Sequence, residues 1–292
     1  MIQCFTKHVY TPLFPPEHEP RLLSISNVHM EYRRRTRALH KHNDRCEILF
    51  VYDGNSKYMV GDHLFPVRKG TLIINNSDML HEDILDEGDT VCHYGISMDG
   101  LQLEGLPKNH LIADDVCPII PAGPDEELLC CLFRTIYDLM TADRPGAEDL
   151  CHHLMMTVVT LVLQLVQASD APRIESGDIS SMILEVKQYL NDNYMNNLSL
   201  QSVSDRFFIS PYHQAHFFKE NTGYSLMNFV NRRRIGEAQT LLIKTNNPIT
   251  EIAGQVGFSN LNSFNIQFQK QVGMSPRQYR KIYLTHGSDS HS

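Results

Sequence analysis

The 292-residue sequence lacks the features that mark secreted, membrane-spanning and disulfide-rich chains. Its seven cysteines show no paired spacing, which argues against a disulfide framework and predicts reduced, mostly buried thiols. The N-terminus has no basic start followed by an apolar run, so we expect no signal peptide. The most apolar stretch, residues 154–166, contains Thr and Gln and is too short to span a bilayer. We therefore expect a cytoplasmic protein with no membrane partner.

Composition and charge point to two folded domains with different partners. The 16 Gly and 14 Pro are too few for a collagen-like or low-complexity chain, and 292 residues suit two domains better than one. The net charge of −8 is uneven, since residues 1–176 carry 15 Lys and Arg against 26 Asp and Glu, whereas residues 177–284 carry 11 against 7. This asymmetry predicts that only the second half meets a polyanion.

The first half changes its hydrophobic period once. Within residues 22–120 the β-rich runs CEILFVY, KYMV, HLFPV and TLII are separated by the turn formers DGNS, GD and RKG. Short strands of this kind predict an antiparallel sandwich or barrel. Apolar residues then recur at helical spacing in residues 128–136 and 150–165, with Pro145 and Gly146 between the two segments. Two amphipathic helices are therefore expected after the sheet.

These patterns predict a multidomain α+β protein. The segment 169–178 is small, polar and Pro-containing, which is typical of a linker. We predict a cupin-like antiparallel β-barrel with two following helices in residues 1–168, the linker, an all-α domain in residues 179–284 and a disordered tail in residues 285–292.

The last third of the chain repeats itself at a spacing of 49 to 50 residues. The matching pairs are Leu200 and Ile249, Val203 and Ile252, Phe207 and Val256, Ser210 and Ser259, Phe218 and Phe268, Gly223 and Gly273, and Ser225 and Ser275. One copy is too short to bury much surface alone. We expect a helix at about 225–243 to hold the two copies together.

The second copy has the pattern of a helix-turn-helix unit. Ala253 supplies the small side chain that two closely crossing helices need, and Gly257 supplies the left-handed backbone of a tight turn. Phe264 and Phe268 predict a buried face, which leaves short amides and hydroxyls on the opposite face to read base edges in a major groove. A solvated polar face without DNA contact is the alternative.

Two such units, joined by a helix, suit two adjacent grooves of one duplex. A helix of about 19 residues is about 28 Å long, comparable to the roughly 34 to 36 Å between successive major grooves. Basic residues follow the two units, and a solvated surface is the alternative to phosphate binding for the run of three arginines. The residues assigned to DNA phosphates are Lys219, Arg232, Arg234, Lys270, Arg277 and Arg280.

The motifs of the last third fit one protein family. They are the strings RRRIGEAQTLL, ITEIAGQVGFSN and GMSPRQYR, together with Ser210, Phe218, Lys219, Thr222, Gly223, Phe264 and Phe268. With these motifs, residues 183–282 resemble the double helix-turn-helix domain of the AraC/XylS family of bacterial transcriptional regulators. The first copy departs from the family pattern, with Ser204 at a usual Ala, Phe208 at a Gly-like turn position and Gln214 at a core Leu.

The polar faces and the resemblance together assign base-reading residues in both copies. In the first copy these are Tyr212, His213, Ala215 and His216, and in the second copy Asn260, Leu261, Asn262 and Asn265. The resemblance also implies double-stranded DNA and RNA polymerase as partners. We predict a transcription regulator, specifically an activator, and not an enzyme.

A second set of polar residues lies in the first half. His40 and His42 are two apart, which places both on one face of a strand, and Asn43 and Asp44 form a turn from which Glu47 returns to the same side. This spacing is similar to the first cupin motif. With His81, these residues are ligands for a divalent metal such as Zn, Fe, Mn or Ni.

Four interpretations of these residues remain open. In the leading one, His40, His42, Glu47 and His81, together with Tyr58, form an effector pocket for a small polar molecule such as a sugar. The others are a metal-containing sensor, a metal-dependent cupin enzyme fused to a DNA-binding domain, and purely structural histidines.

The two helices after the sheet carry more apolar surface than one small barrel needs. Within the resemblance, residues 125–168 pair two chains, so we predict a homodimer; an intramolecular packing helix is the alternative. We expect an effector in the barrel to shift the two DNA-binding domains of the dimer relative to each other, which changes the half-sites that the dimer can hold.

Overall fold

The computed structural model describes residues 3, 11–15, 18–31, 37–61, 63–142, 144–168, 173 and 181–285. Apart from Arg173, the predicted linker at 169–178 lies outside these residues. The predicted tail also lies outside them, except for its first residue, Thr285, which ends the last helix.

The first half forms one seven-stranded antiparallel sheet, as predicted. The strands are β1 Arg21–Glu31, β2 Cys46–Val60, β3 His63–Arg68, β4 Thr71–Asn75, β5 His81–Ile84, β6 Thr90–Asp99 and β7 Ile119–Pro121. Their order is β1-β6-β2-β4-β7, and β3 and β5 also pair with β2. The first part of β2 pairs with β4 and the last part with β3 and β5, so this long strand changes neighbours along its length.

The turn predicted at DGNS is wrong, because β2 runs through these residues without a break. The pairing of β2 with β6 shifts between Val51 and Asp53, as in a β-bulge. Gly54 has a φ of +80°, and a Cβ there would lie 2.1 Å from the carbonyl oxygen of Thr90. Bulges and turns both use Gly and Asp, so composition alone cannot separate them.

Both predicted helices follow the sheet, as α1 Glu126–Thr141 and α2 Ala147–Ala168. They pack on the sheet in one core, in which the rings of Phe50 and Phe133 stack with centroids 5.6 Å apart. By length and composition alone α2 could cross a membrane, and it is longer than the 13-residue run that the sequence indicates. Met155 and Val158 of α2 are completely buried in the core of this domain.

The cysteine prediction holds only in part. All six cysteines within the described residues are free. Cys46 and Cys151 are buried, whereas Cys131 is exposed and the other three are intermediate. The expectation of mostly buried thiols is wrong, because Cys130 and Cys131 follow each other on α1 and a helix turns adjacent side chains to different sides.

The second half is all helical and has two apolar cores. Its helices are α3 Ser181–Asn193, α4 Leu200–Phe207, α5 Pro211–Thr222, α6 Leu226–Lys244, α7 Ile249–Gln255, α8 Leu261–Val272 and α9 Pro276–Thr285. Helix α6 agrees with the predicted connecting helix and contributes to both cores, through Phe229 to the first and Leu242 to the second. This shared helix joins the two copies of the repeat.

Candidate functional site

The two copies of the sequence repeat fold in the same way. Leu200 and Ile249 begin the first helix of each copy, α4 and α7. The second helices, α5 and α8, end at Gly223 and Gly273, whose φ values of 75° and 79° are left-handed. These matched residues therefore lie at equivalent helix ends, so the sequence repeat corresponds to two copies of the same pair of helices.

The turn of the second copy fits the helix-turn-helix expectation. Ala253 is 2% exposed, and Gly257 in the turn has a φ of +93°. A Cβ on Gly257 would lie 2.6 Å from the carbonyl oxygen of Met195, so both the conformation and the space require glycine.

The first copy compensates for two of its departures from the family pattern. Ser204 and Gln214 are both buried, and the Ser204 hydroxyl donates a hydrogen bond to Oε1 of Gln214. This bond satisfies the Ser204 hydroxyl and the Gln214 carbonyl oxygen where the family places apolar side chains, whereas the buried Nε2 of Gln214 has no hydrogen-bond partner. Phe208 keeps the left-handed backbone with a φ of 57°, and its side chain is 97% exposed.

The second copy presents all four of its assigned base-reading residues. Asn260, Leu261, Asn262 and Asn265 are exposed at or near the start of α8. Oδ1 of Asn260 accepts a hydrogen bond from the backbone N–H of Ser263 at 2.8 Å. Asn260 therefore also caps α8.

The first copy presents an aromatic surface in the corresponding place. Tyr212 is 81% exposed, and His213 and His216 are also exposed on α5, whereas Ala215 is half-buried. Nδ1 of His216 lies 3.1 Å from a carboxylate oxygen of Glu220. The first copy therefore offers rings to a ligand where the second copy offers amides.

Three of the six assigned phosphate contacts are exposed. Lys219 and Lys270 lie in the last turns of α5 and α8, and Arg277 lies in the first turn of α9. All three side chains are available at the surface of the tandem units.

The other three assigned arginines bind within the protein, which corrects the phosphate assignment. Arg232 makes a two-pronged ion pair with the buried Glu82 of β5. Arg234 is 8% exposed and donates to the carbonyl oxygens of Tyr194 and Asn196 at 2.7 and 2.8 Å. Arg280 donates to the carbonyl oxygens of Leu242 and Asn247 at 3.3 and 2.7 Å. Their positive charge is used to join structural elements.

In the N-terminal domain four side chains meet in what we call the histidine cluster, formed by His40, His42, Glu47 and His81. One ligand atom of each lies within 4.8 Å of the others. Nε2 of His42 is 3.4 Å from one Glu47 oxygen, and Nε2 of His81 is 3.5 Å from the other. The hydroxyl of Ser97 donates to Glu47 at 2.7 Å. These groups could hold a metal ion or bind a polar ligand.

The backbone around His40 differs from the expected strand. His40 forms one isolated β-bridge with His81, and His42 lies in irregular backbone. The amide N–H of His81 donates to the His40 carbonyl at 2.9 Å, and that of His40 donates back at 3.2 Å. The bridge, not a shared strand face, brings His40 and His81 together.

Burial sets the charge state of the histidine cluster. It lowers the pKa of His42 to about 3 and that of His40 well below its ordinary value. Burial acts to raise the pKa of Glu47, but the close contact with His81 and the charges of nearby groups outweigh it and hold this pKa below its ordinary range. At neutral pH the cluster therefore contains neutral His40 and His42 and an ionised Glu47.

The cluster lies beside a cavity of about 150 Å³ that is lined by β1, β2, β5 and β6. Tyr58 lines it, as the effector prediction requires, and its hydroxyl oxygen accepts a hydrogen bond from Asn75 at 2.9 Å. His93 and Asp83 also line the cavity. Neither residue was predicted to belong to the site, although the alternation of β5 places Asp83 on the same side as His81.

The helical second half covers this cavity, which no pattern in the sequence predicted. Ile243 of α6 and Tyr279 of α9 are among the lining residues. Oε1 of Gln239 accepts a hydrogen bond from the backbone N–H of Ala38 at 2.9 Å. These contacts join positions about 200 residues apart, so no local pattern could have revealed them.

Comparisons with known proteins agree with this architecture. Residues 25–158 match the AraC-like ligand binding domain, and residues 203–282 match a helix-turn-helix domain. The two matches define a DNA-binding transcription regulator with a ligand-binding domain. Together they give the chain the two domains of an AraC-type transcription regulator, the family that its sequence motifs resemble.

Relatives extend over most of the chain. It is 26% identical to the HTH-type transcriptional regulator YdiP of Escherichia coli over 84% of this chain and 81% of that protein. It is 24% identical to the HTH-type transcriptional activator RhaS of Pectobacterium carotovorum over 87% of this chain and 91% of that protein. Among solved structures, the C-terminal domain of the response regulator AraT of Geobacillus stearothermophilus is 31% identical, with 36% of this chain and 88% of that chain covered and a TM-score of 0.35.

Proposed function

We propose that the chain is a dimeric transcription activator that reads an operator with both helix-turn-helix units under control of a small polar effector. We assign effector binding and dimerisation to residues 1–168 and DNA binding to residues 179–284. One observation carries the proposal: in both copies the apolar residues of the repeat are buried or partly buried, while the N-terminal turns of α5 and α8 present exposed polar or aromatic side chains.

Both units can contact one duplex. Helix α6 has 19 residues and is therefore about 28 Å long, close to the spacing of successive major grooves. Asn262 and Asn265 can form paired hydrogen bonds with base edges, and Leu261 can contact a thymine methyl group. Lys219, Lys270 and Arg277 then supply phosphate contacts.

The cavity of the N-terminal domain favours a small polar effector, such as a sugar. Nδ1 of His93 and Oδ1 of Asp83 are buried and have no hydrogen-bond partner, so hydroxyl groups of a ligand would satisfy them. An effector in this cavity lies next to Ile243 and Tyr279 of the DNA-binding half. It would thereby change how α6 and α9 sit on the N-terminal domain.

An apolar surface on the two helices after the sheet supports dimerisation. Leu128 on α1 and Leu150 on α2 are about half exposed, and only 28% of the most apolar 18-residue stretch of α2 is buried. A second copy of the chain would cover this surface. The proposed activator role, with RNA polymerase as a partner in the cytoplasm, follows the family resemblance and the relative that is named an activator.

Replacement of Asn262 by Ala tests base reading. The operator is first selected from random DNA with the full-length protein, and binding of each variant is then measured on the operator and on unrelated DNA. We expect Asn262→Ala to weaken operator binding by roughly 1 to 3 kcal/mol and to leave binding to unrelated DNA unchanged.

Gln255→Ala is the matched control, because Gln255 is also an exposed amide but lies outside the assigned base-facing residues, on α7. This variant should bind the operator like the unmodified protein. Equal losses on both DNAs for Asn262→Ala would contradict base reading by α8.

A further inference from the structure

We propose that the histidine cluster binds one divalent first-row transition-metal ion, and that this ion holds residues 37–42 in the shape on which α6 docks. The site lies in the N-terminal domain, and ion binding there does not depend on how the protein reads DNA. The inference goes beyond the proposed function, since it adds an inorganic ligand to the polar effector.

Hydrogen bonds to the backbone fix the orientation of two imidazoles. Nδ1 of His40 lies 3.0 Å from the carbonyl oxygen of Ala38, and Nδ1 of His81 lies 2.9 Å from that of Met79. A carbonyl oxygen only accepts hydrogen bonds, so Nδ1 carries the proton in both rings. Their Nε2 lone pairs are free to bind a metal, and such an outer hydrogen bond is the usual support for a histidine ligand.

Two buried nitrogens without hydrogen-bond partners favour a bound cation. Nε2 of His42 and Nε2 of His81 are both buried, and each lies 3.4 to 3.5 Å from a Glu47 oxygen without forming a hydrogen bond. Buried polar atoms are rarely left in this state, because each one loses its solvation. A cation among these nitrogens and the Glu47 carboxylate would satisfy all of them at once.

The distances suit one ion. Metal bonds of about 2.0 to 2.2 Å allow two ligand atoms to be at most about 4.4 Å apart. The ligand atoms of the cluster lie within 4.8 Å of one another, so the site would close by shifts of a few tenths of an ångström for two ligands on opposite sides of the ion, and of about 1 Å for a tetrahedral site. Three imidazoles and a carboxylate favour the ions from Mn²⁺ to Zn²⁺ over Ca²⁺ or Mg²⁺, which prefer oxygen ligands.

The charges around the site permit a cation. Glu47 and Asp83 face the same cavity, and Arg37 is the one cation among its lining residues. The Arg37 guanidinium donates to the hydroxyl of Thr240 on α6, and its charge also lowers the pKa values of His40, His42 and Glu47, so the ion would share the site with one positive charge. The ion would therefore enter a site with two carboxylates nearby.

The ligands belong to segments that support α6. His40 follows directly after Ala38 and Leu39, whose backbone contacts Gln239 and Gly236 of α6. An ion would link this segment to Glu47 on β2 and His81 on β5. Without the ion, residues 37–42 would no longer be held in the conformation against which α6 packs.

Metal binding is tested on the full-length protein after dialysis against a chelator. Zn²⁺ or Co²⁺ is added, unbound metal is removed, and bound metal is measured by mass spectrometry. We expect one ion per chain, and visible Co²⁺ absorption bands typical of nitrogen and oxygen ligands. The Co²⁺ spectrum tests the site in the unmodified protein, even if a variant fails to fold.

Variants separate the cluster from other histidines. We expect His81→Gln and Glu47→Gln to weaken metal binding by at least about 100-fold. His93→Gln is the matched control, because His93 is also buried beside the cavity but lies outside the cluster. Less than half an ion per unmodified chain, or equal binding by folded His81→Gln, would overturn the proposed site.

Hydrogen exchange tests the effect on α6. With Zn²⁺ bound, amide exchange in residues 37–42 and α6 should slow in the unmodified protein and stay unchanged in His81→Gln. Metal binding without slower exchange would overturn the docking role. Operator reading by Asn262 is measured separately, so failure of the metal proposal is distinguishable from failure of the proposed function.

Discussion

Arginine residues of this protein have different roles. Arg234 places its guanidinium 5.5 Å from the ring centroid of Phe258 and donates to two backbone carbonyls from the segment between α3 and α4. Arg277 is exposed at the start of α9. Burial decides which arginine stabilises the fold and which is available to a phosphate.

Replacing each of these arginines by Ala should separate stability from DNA affinity. Arg234→Ala should lower the free energy of unfolding by about 2 kcal/mol, because two buried carbonyls lose a charged donor. Arg277→Ala should leave stability unchanged, weaken binding to all DNA sequences and reduce the slope of log affinity against log salt by about 1. Denaturant unfolding and salt-dependent DNA binding measure the two effects.

The opposite pattern, with stability lost in Arg277→Ala and retained in Arg234→Ala, would contradict this division. The sequence identified these arginines as positive charges that are candidates for phosphate contacts. It did not predict exposure, since Arg232 and Arg234 lie in one run and both are bound internally.

Among the elements, the turn between α7 and α8 depends on one glycine. Gly257 has a left-handed backbone and lies against the Met195 carbonyl. The equivalent position of the first copy, Phe208, is left-handed without such contact, because its side chain points into solvent. The repeat therefore conserves the backbone conformation of the turn, while its packing differs.

Two glycines three residues apart should respond oppositely to replacement by Ala. Gly257→Ala should destabilise the protein by more than about 1 to 2 kcal/mol, since it combines a left-handed residue with a clash against the backbone. Gly254 lies within α7 with open space around it, so Gly254→Ala should stabilise the protein by about 0.5 to 1 kcal/mol. Thermal unfolding of both variants checks this, and equal midpoints would contradict it.

In the whole molecule, helix α6 belongs to both halves. Its Arg232 pairs with Glu82, which is 1% exposed, and its Lys244 lies 3.6 Å from Asp44. A Cβ on Gly236 would lie 2.2 Å from the carbonyl oxygen of Leu39. The helix that bridges the two helix-turn-helix units is thus packed directly on the ligand-binding domain.

Gly236→Ala should separate the two halves without unfolding either. Ala favours the helix by about 1 kcal/mol, but the added methyl group cannot fit against Leu39, so α6 must move away. We expect a larger radius of gyration of the full chain in small-angle X-ray scattering. Gly254→Ala is the control and should scatter like the unmodified protein; an unchanged curve for Gly236→Ala would show that the contact tolerates the methyl group.

Local backbone geometry explains why the helices, the strands and the repeat can be predicted from the sequence. Apolar residues at period 2 or 3.6, and glycines at helix ends, report strands, helices and the repeat directly, because each depends on neighbouring positions alone. The spacing of His40, His42 and Glu47 likewise identified a polar cluster. Long-range packing decided the rest: the bulge at Gly54, the internal use of Arg232 and Arg234, and the cover that Ile243 and Tyr279 place over the cavity. Those features arise from contacts between residues up to about 200 positions apart, where burial determines whether a charge is solvated or paired, and no short stretch of chain contains that information.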